Sequence, residues 1–221
     1  MKLQKMTLVD LSGKEWDEPR NNEKEIYEYL GRFIVEFESL ASSIISTLEW
    51  IYFNNGMGNN ANSLQIFLNK EDISKLIDIY SSIIKYFYKL TDIELEVLNI
   101  WVKEVQKIKE YRNQLIHSKW ATGFLSMTDD WKEAKVWIPN RRSVGEQMKK
   151  VTKETIITKL NDLFSMKEID RCIMKCLLTY KKGYEEYFIK KSDQNIVFDS
   201  IKWYRFLKEK EDQIELVNEK E

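Results

Sequence analysis

From Ile26 the apolar positions Leu30, Phe33, Phe37, Leu40, Ile44 and Leu48 recur three or four apart, which draws one stripe along a helix of many turns. The spacing predicts a helix to about Phe53. It stops at Asn54-Asn55-Gly56-Met57-Gly58-Asn59-Asn60, where Gly and Asn favour left-handed and turn conformations and the chain is expected to reverse. A second helix is predicted from about Glu71 to Leu90, with Ile73, Leu76, Ile77, Tyr80, Ile84 and Phe87 as its apolar face. Thr91-Asp92-Ile93-Glu94 then reads as a capping box, in which the hydroxyl serves a backbone N–H and the carboxylate reaches back. The third helix that starts there would turn Leu95, Leu98, Trp101, Val105, Ile108 and Leu115 inward.

Between His117 and Thr152 the period changes. Trp120, Thr122 and Phe124 alternate, and Ala134, Val136 and Ile138 alternate again before Pro139, so a small β-hairpin or irregular insertion is expected over 119–152. Helical spacing returns by Glu154 through Ile157, Leu160, Leu163 and Phe164. Ser165-Met166-Lys167-Glu168 offers a second capping box that marks a kink or restart. The helix would continue past Ile173, Cys176, Leu177, Tyr180 and Tyr184 toward Phe188, and Ile196 to Leu207 would form a last helix. Residues 1–20 are expected to be irregular and the charged tail 208–221 to fray.

With only two prolines and seven glycines, the chain is expected to be all-α: an antiparallel bundle of four to five helices, with the β-hairpin between helices 3 and 4. No linker divides it, so residues 1–221 are expected to form a single domain.

Composition narrows the function classes. Hydrophobic content of 43% with 13% aromatics supports a sizeable core and excludes disorder of the whole chain. Thirty-five basic and 36 acidic residues leave a net charge of −1, so a polyanion would have to be met by a local patch. The first residues lack the apolar stretch of a secretory signal, and charges interrupt every apolar run, so a soluble cytoplasmic protein is expected, without membrane contact. Cys172 and Cys176 lack the further Cys or His needed for a zinc site and read as free thiols; neither metal nor cofactor is expected.

The candidate chemistry lies in Arg112-Asn113-Gln114-Leu115-Ile116-His117, which contains the chain's only histidine. On a helix Arg112 and His117 stand about 140° apart, whereas Asn113 and His117 share a face. Arginine offers a fixed fork of donors and a permanent charge suited to phosphate, and histidine moves protons near neutral pH. Cutting a ribose-phosphate backbone needs a base for the 2′-hydroxyl, an acid for the leaving 5′-oxygen and positive charge on the phosphorane. A two-fold dimer would bring two such pairs to one phosphate. The plainer alternatives are a histidine complementing a helix C-terminus and an arginine paired with Glu110 or with the first helix. Glu36 and Glu38 are candidate acidic partners there, or members of a solvated face.

The stretch 119–153 holds eight basic residues against four acidic ones, interleaved with Trp120, Phe124, Trp131 and Trp137. Lysines and arginines for phosphates beside rings for bases suit single-stranded RNA, which makes Lys119, Trp120, Arg141 and Arg142 candidate substrate-binding residues. Alternatively the rings pin the hairpin to the bundle. The segment Ile196 to Val217 reads as a dimer arm, a docking helix for a neutralising partner, or a cover on the core.

The Arg112-to-His117 hexamer resembles the R-x4-6-H motif of the HEPN superfamily, which also favours a polar residue such as Asn directly after the arginine. Leu30-Gly31-Arg32-Phe33 leading into Glu36-Phe37-Glu38-Ser39-Leu40 is similar to the first helix of several bacterial HEPN-like families, and the resemblance spans residues 23–190. It implies a metal-independent endoribonuclease acting as a homodimer, commonly a toxin or phage-defence effector with a cognate antitoxin or regulator. It would give Arg112 phosphate stabilisation, His117 acid-base chemistry and Asn113 orientation of the site. The competing expectation is a non-catalytic helical module for dimerisation or for binding a partner, nucleotide or RNA.

Overall fold

The computed structural model describes residues 17–57, 61–121, 133–139, 146–192 and 195–218. Most of them are helical. Helix α1 (Asp17–Tyr52) buries the stripe positions Ile26, Phe33, Phe37, Leu40, Ile44 and Leu48, while Leu30 is half-buried. It ends in a kinked turn, Phe53–Met57, where Asn55 leaves the helical region and Gly56 takes φ 81°, a conformation its missing Cβ permits. The short helix α2 (Ala61–Leu68) was not foreseen, because eight residues are too few for a 3.6-residue period to stand out.

Helix α3 (Ile73–Phe87) starts just past Glu71 because Asp72 caps it, its Oδ1 accepting the Ser74 N–H at 2.7 Å. Helix α4 (Asp92–Ile116) opens with the expected capping box. The Glu94 N–H donates to Thr91 Oγ1 at 3.3 Å and the Thr91 N–H donates to Glu94 Oε2 at 2.9 Å. Leu98, Trp101, Val105, Ile108 and Leu115 are buried as expected, but Leu95 is exposed. The reason is Glu94, which is only 2% exposed and also accepts the Tyr184 N–H at 2.6 Å, drawing that side of the first turn inward in place of Leu95.

Strands β1 (Lys119–Ala121), β2 (Glu133–Pro139) and β3 (Glu146–Thr152) form an antiparallel sheet in that order, so the expected hairpin gains a third strand. Lys119 pairs with Trp137, Trp120 with Val136, and Val136 in turn with Lys149. Thr122, Phe124 and Trp131 lie outside the described residues.

Helix α5 (Lys153–Met174) runs through Ser165–Glu168 unbroken. Inside a continuing helix those N–H groups already have i−4 carbonyl partners, so the second capping box has nothing to cap. The break comes later, in a π-helical turn at Lys175–Tyr180 closed by Lys181 with φ 48° and ψ 44°. Helix does not continue to Phe188. A 3₁₀ turn, Glu185–Tyr187, leads instead into the antiparallel pair β4 (Phe188–Ser192) and β5 (Asn195–Phe198), with Phe188 opposite Phe198. Helix α6 (Ser200–Asn218) begins after Ile196 and carries helical backbone through most of the tail expected to fray. Among the described residues, no helix is long and apolar enough to cross a membrane.

The chain gathers into two compact units. One comprises Met1–Glu38 with Glu110–Leu163, the other Ser39–Lys109 with Phe164–Glu221. In the first, Ile26, Phe33, Phe37, Leu115, Val151 and Ile156 are among the buried residues. The second buries Tyr80, Trp101, Tyr184, Tyr187 and Trp203 among its aliphatic side chains. Trp203 packs its ring 5.1 Å from that of Tyr187, so α6 serves here as a cover on the core. Asp170 is fully buried in the same unit, its Oδ1 accepting the Tyr80 hydroxyl at 2.6 Å and its Oδ2 the Ser43 hydroxyl at 2.8 Å.

Candidate functional site

The Arg112-to-His117 hexamer ends α4. Arg112 and Asn113 are in its last turns, and His117 lies one residue past Ile116, its N–H still bonded to the Asn113 carbonyl at 3.1 Å. His117 therefore sits where the helix ends. His117 is exposed, whereas Leu115 between the two polar residues is buried and anchors the turn.

Arg112 is held from several sides. Its Nη2 donates to Glu38 Oε1 at 2.8 Å, and its Nη1 donates to Asn113 Oδ1 at 3.3 Å. The guanidinium carbon stands 5.7 Å from the centre of the Phe37 ring, within cation–π range. The side chain remains 26% exposed. Of the two acidic candidates on the first helix, Glu38 makes this bond, and the pairing of Arg112 with the first helix also realises the plainer expectation for the arginine.

Two polar atoms beside this arrangement are buried without a hydrogen-bond partner among the described residues: Arg112 Nε and the Tyr111 hydroxyl. Burial pushes the Tyr111 phenol up to about 12, and its ring meets Phe33 edge-on at 5.6 Å between centroids. Neither Tyr111 nor Phe37 is marked by the motif spacing as part of the site. Each sits next to a candidate residue, Arg112 or Glu38, but neighbours along a helix point to different faces, so adjacency gave no signal.

Asn113 joins the other two, by its side chain to Arg112 and by its carbonyl to His117. No contact among the described residues joins Arg112 to His117 directly. The separation around the helix explains this, since five positions leave them on different faces. Within one chain the site thus offers a fixed guanidinium and, apart from it, a solvent-facing imidazole.

Of the candidate substrate-binding residues, Lys119 and Trp120 fall in β1, immediately after the hexamer. Arg141 and Arg142 lie outside the described residues. Cys172 and Cys176 are both buried and free, as expected. Among the described residues, no group of three or more His, Cys, Asp or Glu is placed to hold a metal ion. No protein-family model, curated protein sequence or solved structure matches the chain.

Proposed function

We propose that this protein is a metal-independent endoribonuclease that cleaves single-stranded RNA at a site built from two copies of Arg112 and His117. One observation carries the reading. At the end of α4, a guanidinium immobilised by Glu38 and Asn113 accompanies an exposed histidine that no described side chain engages. A histidine left in solvent can take up a substrate proton, and a guanidinium already fixed in orientation loses little further entropy on meeting a phosphate.

In this reading the helices form an antiparallel bundle of four to five members, and two copies meet about a two-fold axis through the ends of α4. His117 of one copy takes the 2′-hydroxyl proton, and the 2′-oxygen attacks phosphorus. His117 of the other copy, protonated, gives its proton to the departing 5′-oxygen. The P–O5′ bond breaks as the 2′-O–P bond forms, leaving a 2′,3′-cyclic phosphate and a 5′-hydroxyl. Arg112 stabilises the charge gathered on the phosphorane, and Asn113 keeps it oriented. Lys119 and Trp120, with Arg141 and Arg142, would guide the strand. The setting is a cytoplasmic toxin or phage-defence effector, held in check by an antitoxin or regulatory partner.

The test is cleavage of a mixed labelled RNA pool in EDTA by wild-type protein and by His117→Ala, matched for folding by circular dichroism. Cutting to cyclic phosphate ends by the wild type alone is the expected result. Strict dependence on a divalent metal, or equal cutting by the variant, would refute it.

A second reading rests on the Glu38 carboxylate, which already occupies the Nη2 edge of Arg112 that a phosphate would seek. In it the same surface serves a non-catalytic module for dimerisation or partner binding. Arg112→Ala would then weaken self-association, with no RNA cleavage at any protein concentration.

A further inference from the structure

In the unit formed by Ser39–Lys109 and Phe164–Glu221, a cavity of about 350 Å³ opens among four chain segments. That volume falls in the range of small-ligand sites, about 300–1,000 Å³. Asn54 and Asn55 come from the kinked turn after α1, and Tyr88 and Lys89 follow α3. Leu177 and Lys181 come from the π-helical turn after α5 and its cap. Both irregular helix ends of the described chain thus contribute to one cavity wall.

Lys181 is the informative residue. It is the one non-glycine residue with positive φ among those described. Its N–H and that of Lys182 both reach the Cys176 carbonyl, a Schellman-type closure in which glycine is the usual occupant of the left-handed position. A lysine anywhere in the last turn would complement the helix dipole, so the dipole explains the charge but not this strained placement.

The charges around the cavity separate into committed and uncommitted. Lys182 is committed: its ammonium bonds the Glu186 carboxylate and the Tyr187 hydroxyl and lies 3.9 Å from the centre of the Phe206 ring. Glu94, the carboxylate in the wall, is committed too, one oxygen to the Thr91 N–H and the other to the Tyr184 N–H. Lys89 and Lys181 are exposed and make no hydrogen bond or ion pair among the described residues. The cavity's uncommitted charge is positive.

We infer that this cavity is a binding site for a small organic anion, its phosphate or carboxylate group held by Lys89 and Lys181 and its body set against Tyr88 and Leu177. The inference stands apart from the ribonuclease reading, because none of these residues belongs to the Arg112 and His117 site.

The test is calorimetric titration of the full chain with pyrophosphate and with citrate at about 150 mM salt, where loose surface attraction is screened. Wild type is compared with Lys89→Gln and Lys181→Gly. Lys181→Gly removes the ammonium while relaxing the left-handed backbone, so an equal or higher melting temperature is expected and loss of fold does not confuse the result. At least one probe should bind the wild type and lose about tenfold or more in affinity in each variant. Binding of pyrophosphate alone would assign a phosphate ligand, and of citrate alone a carboxylate. No binding of either probe to the wild type, or equal affinity in the variants, would overturn the inference.

Discussion

Replacing Asp170 with alanine removes a fully buried carboxylate from between Tyr80 and Ser43. Each hydroxyl loses a charge-assisted bond worth about 1.5–3 kcal/mol, and the Tyr80 oxygen, in a residue 0% exposed, is left without a partner. Relief of the carboxylate's own desolvation offsets part of the loss, so the net cost should be about 3–5 kcal/mol. For a chain of this size that lowers the melting temperature by roughly 6–20 °C. Asp170→Asn keeps the shape and an acceptor and should cost far less. It also isolates the titration: burial raises the Asp170 pKa, against the two hydroxyl bonds that lower it. The folded state therefore holds this proton more tightly than the unfolded chain. Its contribution is fully present below the unfolded carboxylate value and is lost as pH rises through the raised folded one. The stability of Asp170→Asn relative to wild type should accordingly increase from acid to neutral pH. Urea denaturation of both variants across that range, with a Tyr80→Phe double-mutant cycle, is the assay. A cost below about 1 kcal/mol for Asp170→Ala, or an Asn variant that loses ground as pH rises, would refute the reasoning.

Three further outcomes follow from the same structure. Gly183→Ala would put a methyl 2.7 Å from Glu94 Oε1 and displace the Tyr184 N–H bond, for a loss of about 1–3 kcal/mol by urea denaturation. Tyr111→Phe removes a buried hydroxyl that has no hydrogen-bond partner among the described residues, so stability at neutral pH should hold or rise by up to about 1 kcal/mol. Because burial pushes the Tyr111 phenol up to about 12, its stabilising contribution is full below the unfolded value of 10.0 and lost as pH rises through about 12; the Phe variant should lack that alkaline loss. Glu38→Gln releases Arg112 from a pair whose carboxylate side chain is 55% exposed, so the cost should stay under about 1 kcal/mol and shrink in high salt.

The long stripes were legible because burial follows the helical period: Phe33, Phe37, Ile44 and Leu48 in α1, and Leu98, Trp101 and Val105 in α4, are inside as their spacing requires. Leu95 was misread because a polar residue won the inward place. Glu94 collects N–H donors from Thr91 and Tyr184, and the second lies far away in sequence. The β4–β5 pair was missed for a different reason. Phe188-Ile189 and Ile196-Val197-Phe198 flank a polar stretch and carry strand-forming residues, but runs this short fit either element, and the helical stripe before them extends through them by spacing alone. At the candidate site the hexamer and its position at a helix end were readable, and Glu38 was one of two acids named. What fixes Arg112 in place, the Phe37 ring and the Asn113 amide together with Glu38, depends on side-chain directions that spacing alone does not give.

The polar ties in the Ser39–Lys109 and Phe164–Glu221 unit also bear on the order of folding. Tyr80 to Asp170 and Glu94 to Tyr184 each span 90 residues, and Ser43 to Asp170 spans 127. Closing loops of that length is entropically costly, while α1, α3 and α4 can gather their own turns locally. These ties are then expected to form after the rate-limiting step rather than in it, which low φ-values for Asp170→Asn and Ser43→Ala in refolding kinetics would check. Weakening them should hasten escape from the native state and leave the refolding rate nearly untouched, so that they act chiefly as latches on its lifetime.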